Sequence, residues 1–292
     1  MKYLLSRRNF LQTSAVIGTG VGLCSLSGTN LFSAPVSGGA PNAEKIGWKL
    51  GCQAYSFRLF TFYDAIDKVA SLGLHYIEGF PKQKLNEQVS TPLAPALSSE
   101  LRREVKQRLA DQGVKLANYG VTPVNREIME FCKDMGIETV VSEPDPKELD
   151  AVEKLAEELD LKVAIHNHPK PSRYWDPAFA LESVQGRSPR IGVCADTGHW
   201  LRSGLDPVEC LKKLEGRIIS LHFKDLNAAE RKAHDVPWGT GVSNARAQLE
   251  ELYRQKFQGV FSIEYEHNWE NSVPEIAQCV EFFNKTAGEL AA

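Results

Sequence analysis

Residues 137–168 read IETVVSEPDPKELDAVEKLAEELDLKVAIHNH, and this stretch decides the fold. Two short apolar runs, IETVVSE and LKVAIHNH, flank a segment whose apolar residues recur at helical spacing, PKELDAVEKLAEELD. The short runs predict buried strands, and the helical spacing predicts an amphipathic helix between them. A strand, a helix and a second strand in this order are typical of a parallel βαβ unit.

The same alternation continues through the rest of the chain. Eight apolar runs that each predict a strand begin at Leu50, Leu74, Val114, Ile137, Leu161, Ile191, Ile218 and Gly259. An amphipathic segment follows each run, and several of these segments open on Ser, Asp or Asn and close on Gly, as helices do. The sequence therefore predicts a single-domain (β/α)8 TIM barrel over residues 41–292, since such a barrel typically has roughly 250 residues. No GxGxxG motif follows the first run, which disfavours an open dinucleotide-binding sheet.

The first forty residues have a different character. Residues 6–12 read SRRNFLQ, and the weakly apolar stretch that follows contains four glycines and no charge. This resembles a twin-arginine export signal, so we expect residues 1–40 to be a signal peptide and linker, cleaved near Ala34 or Ala40. The stretch is too short and too glycine-rich to span a bilayer. We therefore expect export in the folded state to the periplasm or another extracytoplasmic compartment, with no membrane span after processing. The alternatives are a chance arginine pair before an ordinary signal, or a retained anchor.

Charge and cysteine content narrow the functional classes. The full chain has 34 basic and 37 acidic residues, a net charge of −3, and removal of the leader makes the charge more negative. Proteins that bind a phosphate backbone are usually basic, so nucleic acid is disfavoured as a partner. The cysteines beyond the leader are odd in number and dispersed in apolar patterns, so they predict core residues and no disulfide framework.

Polar residues stand where the apolar runs end. The last inward or rim positions of the runs hold Glu78, Asn118, Glu143, His166, Asp196, His222 and Glu264. Because the carboxyl ends of barrel strands face one another across one opening, we expect these side chains to converge. Carboxylates buried there without a cation would cost several kcal/mol each. The pattern therefore predicts one divalent metal ion at the mouth of the barrel.

Carboxylate and imidazole donors together suit Mn²⁺, Co²⁺ or Zn²⁺ and leave positions open for substrate. We predict Asp196, His222 and Glu264 as ligands, with Glu143 as the fourth. His166 is the alternative for the fourth position, because it ends the neighbouring strand. The structural alternative is that these residues pair with lysines or cap loops.

Other polar residues are predicted to act on the substrate. His199, three residues beyond the sixth run's aspartate, could donate to a substrate hydroxyl or move a proton, and Lys224 could stabilise an oxyanion. The predicted catalytic residues are Glu143, Glu264, His199 and Lys224. The predicted substrate-binding residues are Glu78, His166, His168, His234 and Trp238. The alternatives are that His168 only holds its loop and that HDVPWGTG, residues 234–241, is only a turn.

At DTGH, HFKD, PWGTG and SIEYEH the sequence resembles the xylose-isomerase-like barrel superfamily, usually named sugar phosphate isomerases/epimerases. The resemblance extends from about Trp48 to Phe283. It implies metal ligation by Asp196, His222 and Glu264 and substrate contact by His199. In many relatives the fifth strand supplies a glutamate ligand, whereas this chain has AIHNH there, which is why the fourth position is assigned to Glu143.

The implied reaction is removal of a proton beside a sugar carbonyl, with the metal ion stabilising the enediolate and with Glu143 and Glu264 as base and acid. This predicts a sugar isomerase or epimerase. A 3-keto-glycoside lyase acting by β-elimination and a non-catalytic sugar-binding barrel are the alternatives. The expected partner is a small sugar, keto-sugar or glycoside. The superfamily's apurinic endonucleases need histidines on the second and third strands, where this chain has Glu78 and Asn118.

Overall fold

A computed structural model describes residues 38–292. The predicted twin-arginine signal lies outside the described residues, so export stays a prediction. Between residues 38 and 292 no helix combines the length and the apolar character needed to cross a membrane.

Eight parallel strands close into a barrel in chain order. They are β1 Lys49–Gln53, β2 Tyr76–Gly79, β3 Lys115–Tyr119, β4 Thr139–Ser142, β5 Lys162–His166, β6 Ile191–Asp196, β7 Ile218–Phe223 and β8 Val260–Ile263. The barrel closes through the pairing of β1 with β8. Each predicted run contains one strand, so the predicted (β/α)8 fold is confirmed.

Helices cover the outside of the barrel. In the described part of the chain they are α1 Pro41–Lys45, α2 Phe62–Ser71, α3 Ser99–Asp111, α4 Arg126–Met135, α5 Leu149–Leu159, α6 Pro177–Val184, α7 Thr197–Arg202, α8 Pro207–Lys213, α9 Ala245–Arg254 and α10 Val273–Leu290. Side chains cap several of them, as the sequence predicted: Asn125 Oδ1 accepts from the Ile128 N–H at 2.9 Å where α4 begins. The same helix ends at Gly136, whose φ of 75° favours glycine.

Two helices were not predicted, α1 and α7. The second of these follows β6 without a loop and has only six residues, TGHWLR. A segment this short shows no helical repeat of apolar residues, so the sequence pattern gives no signal for it.

The hydrophobic core fills the space between the barrel and its helices. Trp48 packs against Phe261 and Phe283, with ring centroids 4.9 and 5.2 Å apart. The five cysteines of the described residues are buried and unpaired, in agreement with their assignment to the core.

Small residues lie beneath the polar ones inside the barrel. On four adjacent strands the inward-facing pairs, lower residue first, are Ala164–His166, Cys194–Asp196, Ser220–His222 and Ser262–Glu264. Side chains two residues apart on a strand point to the same side. The small lower residues leave room for four polar side chains to approach one another at the carboxyl end of the barrel.

Candidate metal centre and active site

Four side chains from β5 to β8 form one cluster at the mouth of the barrel. His166, Asp196, His222 and Glu264 are all buried, and one donor atom from each lies within 4.8 Å of the others. Asp196 Oδ2 is 3.6 Å from His166 Nε2 and 3.9 Å from His222 Nδ1. Glu264 Oε2 lies 3.1 Å from His222 Nδ1.

Three of these donor atoms have no hydrogen-bond partner. His166 Nε2, Asp196 Oδ2 and His222 Nδ1 are buried and make no hydrogen bond, although Lys224 Nζ lies 3.1 Å from Asp196 Oδ2 and Glu264 Oε2 lies 3.1 Å from His222 Nδ1. Buried polar atoms in native proteins nearly always have partners, so three such atoms at one point require an explanation. Two imidazoles and two carboxylates are a donor set that suits a divalent transition-metal ion. The residues therefore fit the metal site predicted from the sequence.

The opposite atom of each of these three side chains is bound to the scaffold. Asp196 Oδ1 accepts from the His199 N–H at 2.7 Å, and so caps α7. His222 Nε2 lies 2.8 Å from Glu78 Oε1, and His166 Nδ1 lies 3.2 Å from Glu143 Oε1. Each side chain thus uses one atom for orientation and leaves the other for the centre of the cluster. Metal-binding histidines commonly show this arrangement.

Glu78 lies below the cluster, where it orients His222. The carboxylate is buried, and besides His222 it accepts hydrogen bonds from Gln53 Nε2 at 3.0 Å, Asn118 Nδ2 at 3.3 Å and Ser262 Oγ at 2.8 Å. The structure therefore places Glu78 in the floor of the site, where it orients a histidine, whereas its position in the sequence predicted contact with the substrate.

Of the two alternatives for the fourth ligand, the structure brings His166 into the cluster. Glu143 lies on the far side of that imidazole, where its Oε1 also accepts from the His168 N–H at 3.2 Å and contacts His168 Nδ1. Burial acts to raise the pKa of the Glu143 carboxyl, but the hydrogen bonds from both histidines outweigh it and lower the pKa to about 2. Glu143 is therefore an ionised partner of two histidines.

Lys224 is fully buried beside the cluster. Its Nζ lies 2.7 Å from Glu264 Oε2, 2.8 Å from Glu266 Oε2 and 3.1 Å from Asp196 Oδ2. Burial acts to lower the pKa of this ammonium, but the surrounding carboxylates raise it well above its ordinary value. Two of the predicted ligands, Asp196 and Glu264, therefore pair with one lysine. This agrees in part with the alternative that the carboxylates pair with lysines.

Glycine in the motif DTGH makes room for this lysine. A Cβ on Gly198 would lie 2.8 Å from Lys224 Cδ and 2.9 Å from its Cβ. The lysine stem therefore packs directly against the first turn of α7, and the two sequence motifs DTGH and HFKD fit together at this contact.

His199 is held as a neutral imidazole at the edge of the cluster. Its Nε2 lies 3.5 Å from Asp196 Oδ2, and its Nδ1 lies 3.1 Å from Arg202 Nη1. Burial lowers the pKa of the imidazole well below its ordinary value, and the charge of Lys224 lowers it further, although Asp196 opposes the shift. Because a guanidinium only donates, Nδ1 is the acceptor and the proton of His199 is on Nε2.

A cavity of about 390 Å³ opens above the cluster. Its polar wall comprises His166, His168, His199, Glu264 and Glu266. A substrate in this cavity would lie directly against His166 and Glu264 of the cluster.

Comparison with known proteins agrees with this geometry. The family described as xylose isomerase-like TIM barrel matches residues 66–286. The chain belongs to this family. A protein of Parabacteroides distasonis ATCC 8503 of known structure is 36% identical, with 82% of this chain and 99% of that one covered and a TM-score of 0.68.

More distant structures share the fold of this xylose isomerase-like barrel. One is a D-tagatose 3-epimerase-like protein at 18% identity, 84% and 100% coverage and a TM-score of 0.67. Another is the IOLI protein with a binding zinc atom, at 18% identity, 83% and 97% coverage and a TM-score of 0.66. No curated protein matches the chain.

Two predicted substrate contacts lie away from the cavity of this xylose isomerase-like barrel. Trp238 is 3% exposed and packs against Phe223, with ring centroids 4.6 Å apart, so it belongs to the core. The ring of His234 stacks on His267 at 4.3 Å among exposed residues. The sequence around Trp238 does not indicate whether the indole points towards the cavity or into the core. Burial of its apolar surface favours the core.

The glycines of PWGTG serve the loop itself. Asp225 Oδ2 accepts from the backbone N–H groups of Gly239 at 2.8 Å and Gly241 at 3.0 Å, and its Oδ1 accepts from Ser243 N–H at 2.9 Å. A Cβ on Gly241 would lie 2.4 Å from Asp225 Oδ1. Residues 234–241 therefore form a turn held by Asp225, in agreement with the alternative that this segment is only a turn.

Arg202 and Gln53 also belong to the site, and neither was predicted from the sequence. Arg202 lies three residues after His199 on α7 and also donates to Glu266 Oε2 at 2.9 Å and to Asp235 Oδ2 at 3.1 Å. Its position one helical turn beyond DTGH would have been a signal only if the helix itself had been predicted.

Proposed function

We propose that this protein is a divalent-metal-dependent enzyme that removes a proton from the carbon beside a sugar carbonyl, and so isomerises or epimerises the sugar. The observation that carries the proposal is the convergence of buried donor atoms from His166, Asp196, His222 and Glu264 beneath a cavity. Membership of the xylose isomerase-like family supports it. The similarity to a D-tagatose 3-epimerase-like protein agrees, although at that identity it concerns only the fold.

His166, Asp196, His222 and Glu264 would hold the ion, which we propose to be Mn²⁺, Co²⁺ or Zn²⁺. When bound, such an ion supplies a Lewis acid for the carbonyl of the substrate. All the remaining steps fall to the side chains that surround the cavity.

Glu264 is the proposed base. It lines the cavity, and although burial acts to raise its pKa, Lys224 and His222 lower it well below its ordinary value, so that the carboxylate is ionised. Lys224 holds this carboxylate in place through its Nζ at 2.7 Å. The lysine is fully buried, so its predicted oxyanion role gives way to a role in positioning.

The second proton transfer is assigned to His168, which lines the cavity and is oriented by Glu143. The Nδ1 of His168 contacts Glu143, so Nε2 is the nitrogen left for the substrate. In this arrangement Glu143 acts through a histidine, whereas the sequence analysis assigned the proton transfer to Glu143 directly. His199, with its proton on Nε2, would donate to a substrate hydroxyl.

The same proton removal can end in loss of a leaving group. In a 3-keto-glycoside, abstraction of the C2 proton and departure of the oxygen on C1 would cleave the glycosidic bond by β-elimination. The cavity, at about 390 Å³, lies within the usual size range of ligand pockets, and this lyase reaction is the second candidate.

Export remains part of the proposal. The segment SRRNFLQ at residues 6–12 supports folded transport by the twin-arginine route to the periplasm or another extracytoplasmic compartment. Replacing Arg7 and Arg8 with lysines should retain the protein in the cytoplasm. Continued export of the double variant would contradict this route.

The decisive experiment measures exchange of the α-proton of a keto-sugar for deuterium in the presence of the zinc-loaded protein. The exchange is monitored by NMR of the sugar. Exchange should be abolished in Glu264→Gln and unchanged in Glu270→Gln, which alters an exposed residue of the following loop. Zinc binding without exchange in any ketose or 3-keto-glucoside tested would indicate the non-catalytic sugar-binding alternative. Exchange that persists in Glu264→Gln would remove this residue from the mechanism.

A further inference from the structure

The wall of the cavity opposite the metal cluster is aromatic. Tyr55 lies two residues after the end of β1, Phe80 directly follows β2, and both line the cavity as partly exposed side chains. Their ring centroids are 5.0 Å apart at an interplanar angle of 74°. Two aromatic rings therefore face the cavity from the ends of adjacent strands.

The ring of Tyr55 is fixed from behind. Trp269, from the segment between β8 and α10, meets it edge to face with centroids 5.5 Å apart. Arg58 Nη1 donates to the Tyr55 hydroxyl at 2.6 Å, and its guanidinium carbon lies 3.8 Å from the centre of the Trp269 ring. The Tyr55 N–H donates to Gln53 Oε1 at 2.9 Å. The aromatic wall is therefore preorganised, as binding surfaces for rigid ring ligands usually are.

The cavity offers little to hold a phosphate group. Among the described residues that line it, the one lysine or arginine is Lys82, which is exposed. Two other cations nearby are paired with carboxylates, Lys224 with three and Arg202 with two, and Arg58 does not line the cavity. Recognition of phosphate normally uses converging Arg, Lys or backbone donors, so this cavity suits an uncharged ligand better.

We infer that the aromatic wall binds a second ring attached to the reacting sugar, and that the substrate is therefore a glycoside with a ketone on its reacting ring rather than a free sugar or a sugar phosphate. The inference rests on the proposed function only in one respect, namely that the reacting sugar lies at the metal cluster and the attached ring lies at the aromatic wall. The polar wall takes the hydroxyl groups of the reacting ring, and the flat face of the attached ring packs on Phe80 and Tyr55. A volume of about 390 Å³ lies within the range of about 300–1,000 Å³ that ligands of this size occupy.

The test is calorimetric titration of the zinc-loaded protein with phenyl β-D-glucopyranoside, methyl β-D-glucopyranoside and glucose 6-phosphate. The phenyl glycoside should bind about tenfold more tightly than the methyl glycoside, because one aromatic contact contributes up to about 1.4 kcal/mol, and this corresponds to a factor of ten. Glucose 6-phosphate should bind no more tightly than the methyl glycoside. In Phe80→Ala the preference for phenyl should fall to about one, while Phe80→Tyr should retain it.

Phe179→Ala is the matched control, because that ring is 36% exposed on α6 and does not line the cavity. It should leave the preference unchanged. Equal binding of the two glycosides, no binding of either, tightest binding of the phosphate, or a preference that survives Phe80→Ala would each overturn the inference.

The glucosides carry no ketone, so this result does not depend on proton abstraction. Deuterium exchange into free ketoses without a phenyl preference would refute the aromatic subsite and leave the proposed function intact. A phenyl preference without any exchange would refute the proposed reaction and leave the subsite intact.

Discussion

Replacement of Glu143 by glutamine tests whether this residue acts on the metal site through His166. Glu143 Oε1 lies 3.2 Å from His166 Nδ1, and the opposite nitrogen, Nε2, is the unpartnered atom that points into the cluster. The carboxylate keeps the Nδ1 proton in place and increases the basicity of Nε2. Glutamine has nearly the same shape and still accepts a hydrogen bond, but it lacks the charge.

The expected loss follows from this one contact. A hydrogen bond to a charged group contributes about 1.5–3 kcal/mol and a neutral one about 0.5–1.5 kcal/mol, so the exchange should cost about 1–1.5 kcal/mol. Since 1.4 kcal/mol is a factor of ten, zinc should bind roughly five- to tenfold more weakly. This loss lies at or just below the lower end of the range of about 10–100-fold that is usual when such a partner of a metal-binding histidine is removed, because glutamine keeps a neutral hydrogen bond.

Zinc affinity can be measured by competition with a chromophoric chelator at constant pH. Glu148→Gln is the control, because it removes the same charge from an exposed position five residues along the chain. An unchanged affinity in Glu143→Gln would refute the role in orienting His166. A loss far beyond a hundredfold would refute it in the other direction, because it would indicate that Glu143 itself binds the ion.

Two further substitutions test the packing of Lys224. Lys224→Met leaves three carboxylates without their shared ammonium, so the free energy of unfolding of the metal-free protein should fall by about 3–5 kcal/mol in urea denaturation, with partial recovery on adding zinc. Lys213→Met, at an exposed position, should have almost no effect, and equal stability of the two variants would contradict the expectation. Gly198→Ala places a Cβ 2.8 Å from Lys224 Cδ, so it should cost about 1–3 kcal/mol of unfolding free energy in the same assay. A stability equal to that of the unmodified protein would show that the lysine stem can move aside.

The neighbourhood of Glu143 and His166 explains why the fourth ligand could not be decided from the sequence. The pairing of β4 with β5 places Ser142 beside Ile165, so the next residue on each strand, Glu143 and His166, are neighbours at the same rim. Both have the chemistry of a ligand, and both follow an apolar run. Which one reaches the centre depends on strand pairing and stagger around the closed barrel, and neither is encoded in a local pattern.

The sequence by itself determined the eight βα units, the closure expected from their number, and the presence of Asp196, His222 and Glu264 at the ends of successive strands. These properties follow from short-range periodicity, because alternation and helical spacing are read over a few residues. Only the tertiary structure decided that His166 completes the cluster, that Asp196 also caps a helix, that Lys224 is enclosed by carboxylates and that Trp238 packs in the core. Each of these depends on which side chains from distant strands and loops compete for the same volume and the same hydrogen-bond partners, and that competition exists only once the barrel is closed.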